Sequence, residues 1–299
     1  MATTKVTTPD LIDISLDGAL QLPSGTTAQR PAAPSTGEWR YNTDNNLIEF
    51  YDGGEWRDLE DEFPPPIPSE NFNTVIWSGN SGTQSITGVG FQPDLVWIKN
   101  RTDTVNHVFF DTSRGPSPNP DKLYPNLNIG QDAGGATYLT TFDSDGFSVG
   151  SSNQVNDSGE DYVAWCFKVN GGTTASNGLG SLTSTVQINE AAGFSMVQYT
   201  GTGANATVGH GLSSAPEMII FKAYTTTASW KCYNHLLTSP TTQVVELDGT
   251  TAEMTPTNAF NSTAPSSTLI SLGSYSDVNN SGNPMIAYCF KSVAGYSKF

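Results

Sequence analysis

Residues 155–168 read VNDSGEDYVAWCFK, and residues 278–291 read VNNSGNPMIAYCFK. Asn156, Ser158, Gly159, Ala164, Cys166, Phe167 and Lys168 recur 123 positions later as Asn279, Ser281, Gly282, Ala287, Cys289, Phe290 and Lys291. The same offset carries PDLVWIK (residues 93–99) onto PEMIIFK (216–222). With small shifts, VIWSG (75–79) matches VQYTG (197–201) and GVGFQP (88–93) matches GHGLSSAP (209–216). Several motifs in one order at nearly one offset define a tandem duplication. The unit is longer than the 20–50 residues of a solenoid repeat, so each copy is expected to form a domain.

Within the opening phrase, the turn and the Ala-aromatic-Cys-Phe run persist while the acidic residues between them change. That is the behaviour of a folding element: a turn feeding a near-continuously apolar central strand, with Cys166 and Cys289 as small buried hydrophobes. Short strands separated by turn signals predict residues 74–77, 94–99, 107–111, 146–149 and 162–168 in copy one. In copy two they predict 195–199, 217–222, 229–233, 268–272 and 285–291. Helical periodicity is nearly absent. The expected fold is all-β: a small N-terminal β-meander followed by two tandem, homologous β-sandwich domains, jelly-roll-like. Trp97, Trp165, Cys166, Phe167, Tyr288, Cys289 and Phe290 are the expected repeat core, because apolar exchanges between copies are what a core tolerates.

Composition bounds the function. The 299 residues carry a net charge of −16, and their 13 Lys and Arg form no cluster, which argues against nucleic acid. Charged residues make up only 14% of the chain, against about a quarter in ordinary globular proteins. No apolar run is long enough for a membrane span, and the N-terminus lacks the plan of a signal peptide, so assembly in a cytoplasm is expected. Three cysteines do not make a disulfide framework.

Pro and Gly punctuate the chain into an extended segment (1–25), an aromatic module (26–60), a Pro-rich linker (61–70), repeat one (71–169), a Gly/Ser/Thr linker (170–181) and repeat two (182–299). In the module, GEWRYNTDNNLIEFYDGGEWRDL (37–59) alternates aromatic runs with the turn signals TDNN and DGG, a three-strand meander. So few residues leave Trp39, Tyr41, Ile48, Phe50 and Trp56 largely wet unless they pack on symmetry mates, which predicts a homotrimer. The residues before them, SGTTAQRPAAPS, are expected to need a partner surface.

The phrase AQRPAAPSTGEWRYNTDNNLIEFYDGGEWRDL resembles a short module of virion structural proteins of tailed bacteriophages, particularly tail-fibre-like ones. Gln29, Arg30, Pro31, Gly37, Arg40, Tyr41, Asn42, Thr43, Tyr51, Gly53 and Trp56 carry the likeness. Through PDLVWIKNR, FDSDGFSVGS, VNDSGEDYVAWCFK and AGYSKF, the repeats resemble a domain of fibre-like proteins of marine phages. The resemblance implies a non-catalytic virion protein, first a tail fibre or receptor-binding component. Its N-terminal segment would dock on another virion protein and its loops would contact host-surface glycan. The alternatives are a head fibre or capsid decoration protein and, in a different class, an envelope polysaccharide depolymerase.

The residues offer little chemistry of their own. His107, His210 and His235 sit in no nucleophile motif and read as surface or turn histidines. Asp143, Asp145, Asp157, Glu160 and Asp161 include carboxylates a glycosidase would need, but solvated turns explain them. FDSDG (142–146) places Asp143 and Asp145 as candidate ligands for a divalent cation; no other cofactor is expected. Trp230 is the aromatic least explained by core packing and is the candidate glycan contact.

Overall fold

The structure, a computed structural model, describes residues 22–58, 68–115 and 118–299. The chain divides into two compact units, Met1–Pro64 and Pro65–Phe299. Residues 1–21 of the expected attachment segment and 61–67 of the Pro-rich linker lie outside the described residues.

In the first unit, β2 (Trp39–Asn42), β3 (Leu47–Tyr51) and β4 (Trp56–Asp58) form the expected antiparallel meander. Asn46 takes a left-handed conformation (φ 60°) in the first turn; Gly53 (φ 106°) takes it in the second. Asp52 Oδ1 accepts the Gly54 and Glu55 amides at 2.7 and 2.8 Å, which fixes the second turn. A fourth strand, β1 (Ser24–Gly25), joins in parallel alongside β2. The segment expected to need a partner surface therefore finds one on its own meander.

The second unit holds both repeats, and their equivalence is topological as well as sequential. In repeat one, the larger sheet runs β5 (Phe72–Ser78), β12 (Asp161–Phe167), β7 (Leu95–Asn100), β8 (Val108–Asp111), β9 (Lys122–Leu123). Its smaller sheet runs β10 (Leu139–Asp143), β11 (Gly146–Val149), β6 (Gln84–Thr87). Repeat two repeats the order as β15 (Phe194–Thr200), β21 (Pro284–Phe290), β17 (Met218–Ala223), β18 (Lys231–Asn234), β19 (Val245–Glu246). Its smaller sheet pairs β16 (Ala206–Gly209) with β20 (Leu269–Leu272). Two four-residue helical turns, α1 (Pro68–Asn71) and α2 (Ser276–Asn279), precede β5 and β21.

Two differences break the symmetry. Strand β10 has no counterpart, because repeat two is Thr/Ser/Pro-rich there. In exchange, a hairpin of β13 (Ala175–Asn177) and β14 (Ser184–Asn189) extends the larger sheet of repeat two beyond β15. The expected linker 170–181 is corrected in part: its composition is that of a flexible spacer, yet Ala175–Asn177 is held by main-chain pairing to β14.

Three apolar cores separate four sheet layers. In repeat one, Ile86 and Phe147 of the smaller sheet meet Ile98, Ala164 and Cys166 of the larger. In repeat two, Val208 and Leu272 meet Phe221, Ala287 and Cys289. The third core joins the repeats themselves, packing Leu95, Phe109 and Leu123 against Met196, Trp230 and Tyr288. The central strands β12 and β21 are thus covered on both faces, which is why their sequences are nearly continuous in apolar residues. Burial pushes the thiols of Cys166 and Cys289 up to about 12, as inert packing groups.

Candidate self-association site

The meander of the first unit has two unlike faces, because successive side chains on a strand point to opposite sides. On one face, Arg40, Asn42 and Glu49 are buried, with Glu49 only 1% exposed. Arg30, delivered by the segment after β1, bonds Glu49 twice, through Nη2 at 2.6 Å and Nε at 3.2 Å. Arg40 Nη1 adds a contact at 2.9 Å and Asn42 Nδ2 one at 3.1 Å. Burial alone would raise the Glu49 carboxyl, but these bonds and the two guanidinium charges outweigh it and hold it below the usual carboxylate range. Arg40 Nη2 also donates to the Thr26 carbonyl at 3.0 Å, and Asn42 Nδ2 to Thr27 Oγ1 at 2.9 Å. The Gln-Arg-Pro and Arg-Tyr-Asn-Thr phrases are therefore the two sides of one polar lock.

On the other face, Trp39 stands opposite Phe50 and Tyr41 opposite Ile48. Trp39 stacks on Phe50 at 5.4 Å and is 46% exposed; Ile48 is 36% exposed. Four of the five residues expected to pack on symmetry mates are thus together on one open apolar face. Trp56 is not among them. It pairs with Tyr51 on the lock side, 5.7 Å ring to ring, and lies under the Arg40 guanidinium at 5.8 Å. Its role is to close the lock.

The remaining candidates take structural positions. Trp230 is fully buried between the repeats; its indole donates to the Tyr124 carbonyl at 2.9 Å and meets Phe109 edge-on at 5.7 Å. It cannot touch a glycan, because a contact made across the duplication encloses it. Tyr288, beside it, donates to Asp111 at 2.6 Å, and Asp111 pairs with the fully buried Arg114 at 2.5 Å. Trp97 and Trp165, half-buried, meet edge-on at 5.6 Å. Phe167 and Phe290, from equivalent positions, meet at 6.1 Å.

Asp145 accepts the amides of Gly88 and Gly90 at 3.0 and 2.6 Å, and these bonds hold its carboxyl below the ordinary value. Asp143 accepts the Ser148 hydroxyl at 2.7 Å. Among the described residues, no group of three His, Cys, Asp or Glu side chains converges as metal ligands would. His107 Nδ1 accepts the Trp97 indole at 3.0 Å, and His235 Nε2 lies 3.0 Å from the Phe299 carbonyl. His210 is buried, its Nδ1 accepting the Leu212 amide and its Nε2 meeting the Ser266 carbonyl. Among the described residues, no histidine ring bonds a serine or cysteine side chain.

The sequence reading missed the lock, the hairpin β13–β14 and the apolar contact between repeats. Only the lock had a visible signal: Arg40, Asn42 and Glu49 alternate with aromatics at strand period.

These features define a duplicated all-β protein with an open aromatic face on a separate N-terminal meander. Residues 67–299 match the family described as a domain of unknown function, DUF7483, and the chain belongs to it. No curated protein and no solved structure matches the chain.

Proposed function

We propose that the chain is a non-catalytic virion structural protein of a tailed bacteriophage, a tail-fibre or receptor-binding component that assembles as a homotrimer through Trp39, Tyr41, Ile48 and Phe50. The observation that carries this reading is the open apolar face of the meander, built opposite a sealed polar lock. A module this small does not leave a stacked Trp–Phe pair in water without cost, and copies of itself are the surface every chain meets during assembly. The resemblance of the lock residues to a phage virion module supports the same reading. The weakly charged surface suits a particle in salt, where ion pairs between exposed groups are screened. Host contact falls to the loops that differ between repeats, with affinity multiplied by trimer and particle valency.

Mass photometry of the purified chain tests the assembly; three protomer masses are expected, and one protomer mass at micromolar concentration defeats it. Immunogold labelling of particles tests the placement, with label at the tail expected. Label at the head moves the protein to the head-fibre alternative, and unlabelled particles overturn the virion reading.

A further inference from the structure

The two larger sheets end differently at equivalent edges. In repeat two, β15 is paired on its outer side by β14, with Gln187 opposite Met196 and Thr185 opposite Gln198. In repeat one, the counterpart of β15 is β5, and β5 is the edge of its sheet.

Only alternate residues of an antiparallel pair exchange hydrogen bonds. The Gly79 amide bonds the Glu160 carbonyl, and the Lys168 amide bonds the Asn71 carbonyl. With this register, Asn73, Val75 and Trp77 turn their main chain toward β12, while Thr74, Ile76 and Ser78 turn theirs away. Two outward groups are met locally: Asn73 Oδ1 accepts the Thr74 amide at 2.8 Å, and Gln84 Nε2 reaches the Ser78 carbonyl at 3.4 Å. The Ile76 amide and carbonyl and the Thr74 carbonyl have no partner among the described residues. These positions answer to Gln198 and Met196, the residues that β14 pairs in repeat two.

Proteins blunt open edges with lysine, proline, bulges or very short strands. Strand β5 has none of these. It spans seven residues, FNTVIWS, and presents Ile76 at 68% exposure. At its Phe72 end opens an apolar cleft of about 260 Å³, lined by Phe72, Phe167, Phe194, Phe290, Tyr296 and Phe299. An open ladder, an exposed apolar side chain and an aromatic cleft thus follow one another along a single strand.

We propose that the β5 edge is a strand-acceptor site that takes an extended segment of another polypeptide, antiparallel, as a sixth strand of the repeat-one sheet. Only an extended main chain matches the spacing of the outward amide and carbonyl groups, and pockets beside such an edge select side chains. The segment has the chemistry of β14: uncharged Thr, Gln and Asn alternating with Val and Ile, one apolar residue reaching the cleft. A net charge of −16 on the acceptor disfavours an acidic segment.

The probe is a labelled peptide of residues 182–189, LTSTVQIN, titrated against the intact chain by fluorescence anisotropy. Saturable binding is expected. Ile76→Pro removes the outward amide without touching the β12 ladder, since edge strands admit proline on the solvent side. It should weaken binding at least tenfold, as should Ile76→Lys, which keeps the main chain should the proline variant fail to fold. N-methylation at one of the neighbouring positions Val186 and Gln187, and not at both, should have the same effect, because alternate amides face the acceptor. Absence of saturation at millimolar peptide overturns the proposal. So does binding that ignores both Ile76 variants, which would place the peptide on β15 instead, or equal sensitivity to both methylations.

Discussion

Asn156 and Asn279, 123 positions apart, hold the same buried carboxamide pose in the two repeats. Asn156 Nδ2 donates to Asn80 Oδ1 at 2.9 Å and to the Gly82 carbonyl at 2.8 Å, and its Oδ1 accepts the Asn80 amide at 3.1 Å. Asn279 Nδ2 donates to the Ala204 and Gly273 carbonyls at 2.7 Å, and its Oδ1 accepts the Thr202 amide at 2.7 Å. Each fastens the loop after the first strand of the larger sheet to the turn before its central strand. The glycines facing these turns are equally fixed: a Cβ at Gly79 would lie 2.0 Å from the Asp157 carbonyl, and one at Gly201 would lie 2.2 Å from that of Asn280.

Replacing Asn279 by Ala strands buried groups on both sides of this fastening. A loss of about 3 kcal/mol is expected from the cost of unsatisfied buried polar groups. Urea unfolding of the Asn279→Ala chain measures it, and a change under about 1 kcal/mol would contradict the role.

Trp230→Ala opens the core between the repeats. The expected destabilisation is about 3–5 kcal/mol, as for other large aromatic truncations. Near-ultraviolet circular dichroism during thermal unfolding should show both repeats responding. If the loss is confined to repeat two, the shared core is not what couples them.

Glu49 couples the meander to acid. Its folded carboxyl lies below the unfolded value of about 4.3, so its contribution is present above that value and is lost as pH falls through the folded one. Tryptophan emission from the isolated first unit, followed from pH 6 to 2, should report opening of the lock below about pH 4. Glu49→Gln should open it at neutral pH, because two guanidinium groups lose their counter-charge.

His210 imposes a second acid limit, at higher pH. Burial pushes its imidazole below the ordinary 6.5, and protonation of Nδ1 would expel the Leu212 amide. The unfolded chain therefore binds this proton first, and stability declines as pH falls from about 6.5 toward the folded value. Urea midpoints at pH 7.5 and 5.5 should differ in the native chain and differ less in His210→Asn, the remainder coming from His107, whose partly buried imidazole is also held below the ordinary value.

Trp39→Ala with Ile48→Ala should shift mass photometry toward single protomers while leaving far-ultraviolet dichroism unchanged. Trp56→Ala should instead loosen the meander itself, by removing the ring under Arg40. Reversed outcomes would exchange the roles of the two faces.

The duplication was legible because offset and order survive divergence, and β5, β7, β12, β15, β17 and β21, the apolar strands of six or seven residues, followed from their apolar runs. Strands β6, β9, β10, β16 and β19 were not: QSIT, LTTFD and ATVG carry only one or two large apolar residues each, and β9 and β19 hold two residues. The five meander aromatics read as one set, yet Trp56 parts from Trp39 because turn length fixes which residue stands opposite Tyr51. Trp230 looked unexplained for a different reason: its neighbours Tyr124 and Phe109 come from the other repeat, a contact with no local trace. Strand β14 is polar enough to pass as loop, so the unequal edges emerged only from the pairing.

Phe167 and Phe290 occupy the same position in their repeats and touch one another. Self-contact between equivalent residues is what a two-fold interface produces. The core between the repeats is not two-fold beyond this pair: Phe109 packs on Trp230 and Tyr288, while its own counterpart, Cys232, lies outside that core. The two copies have diverged at matching positions: Trp230 fills this core, whereas its counterpart His107 accepts the Trp97 indole.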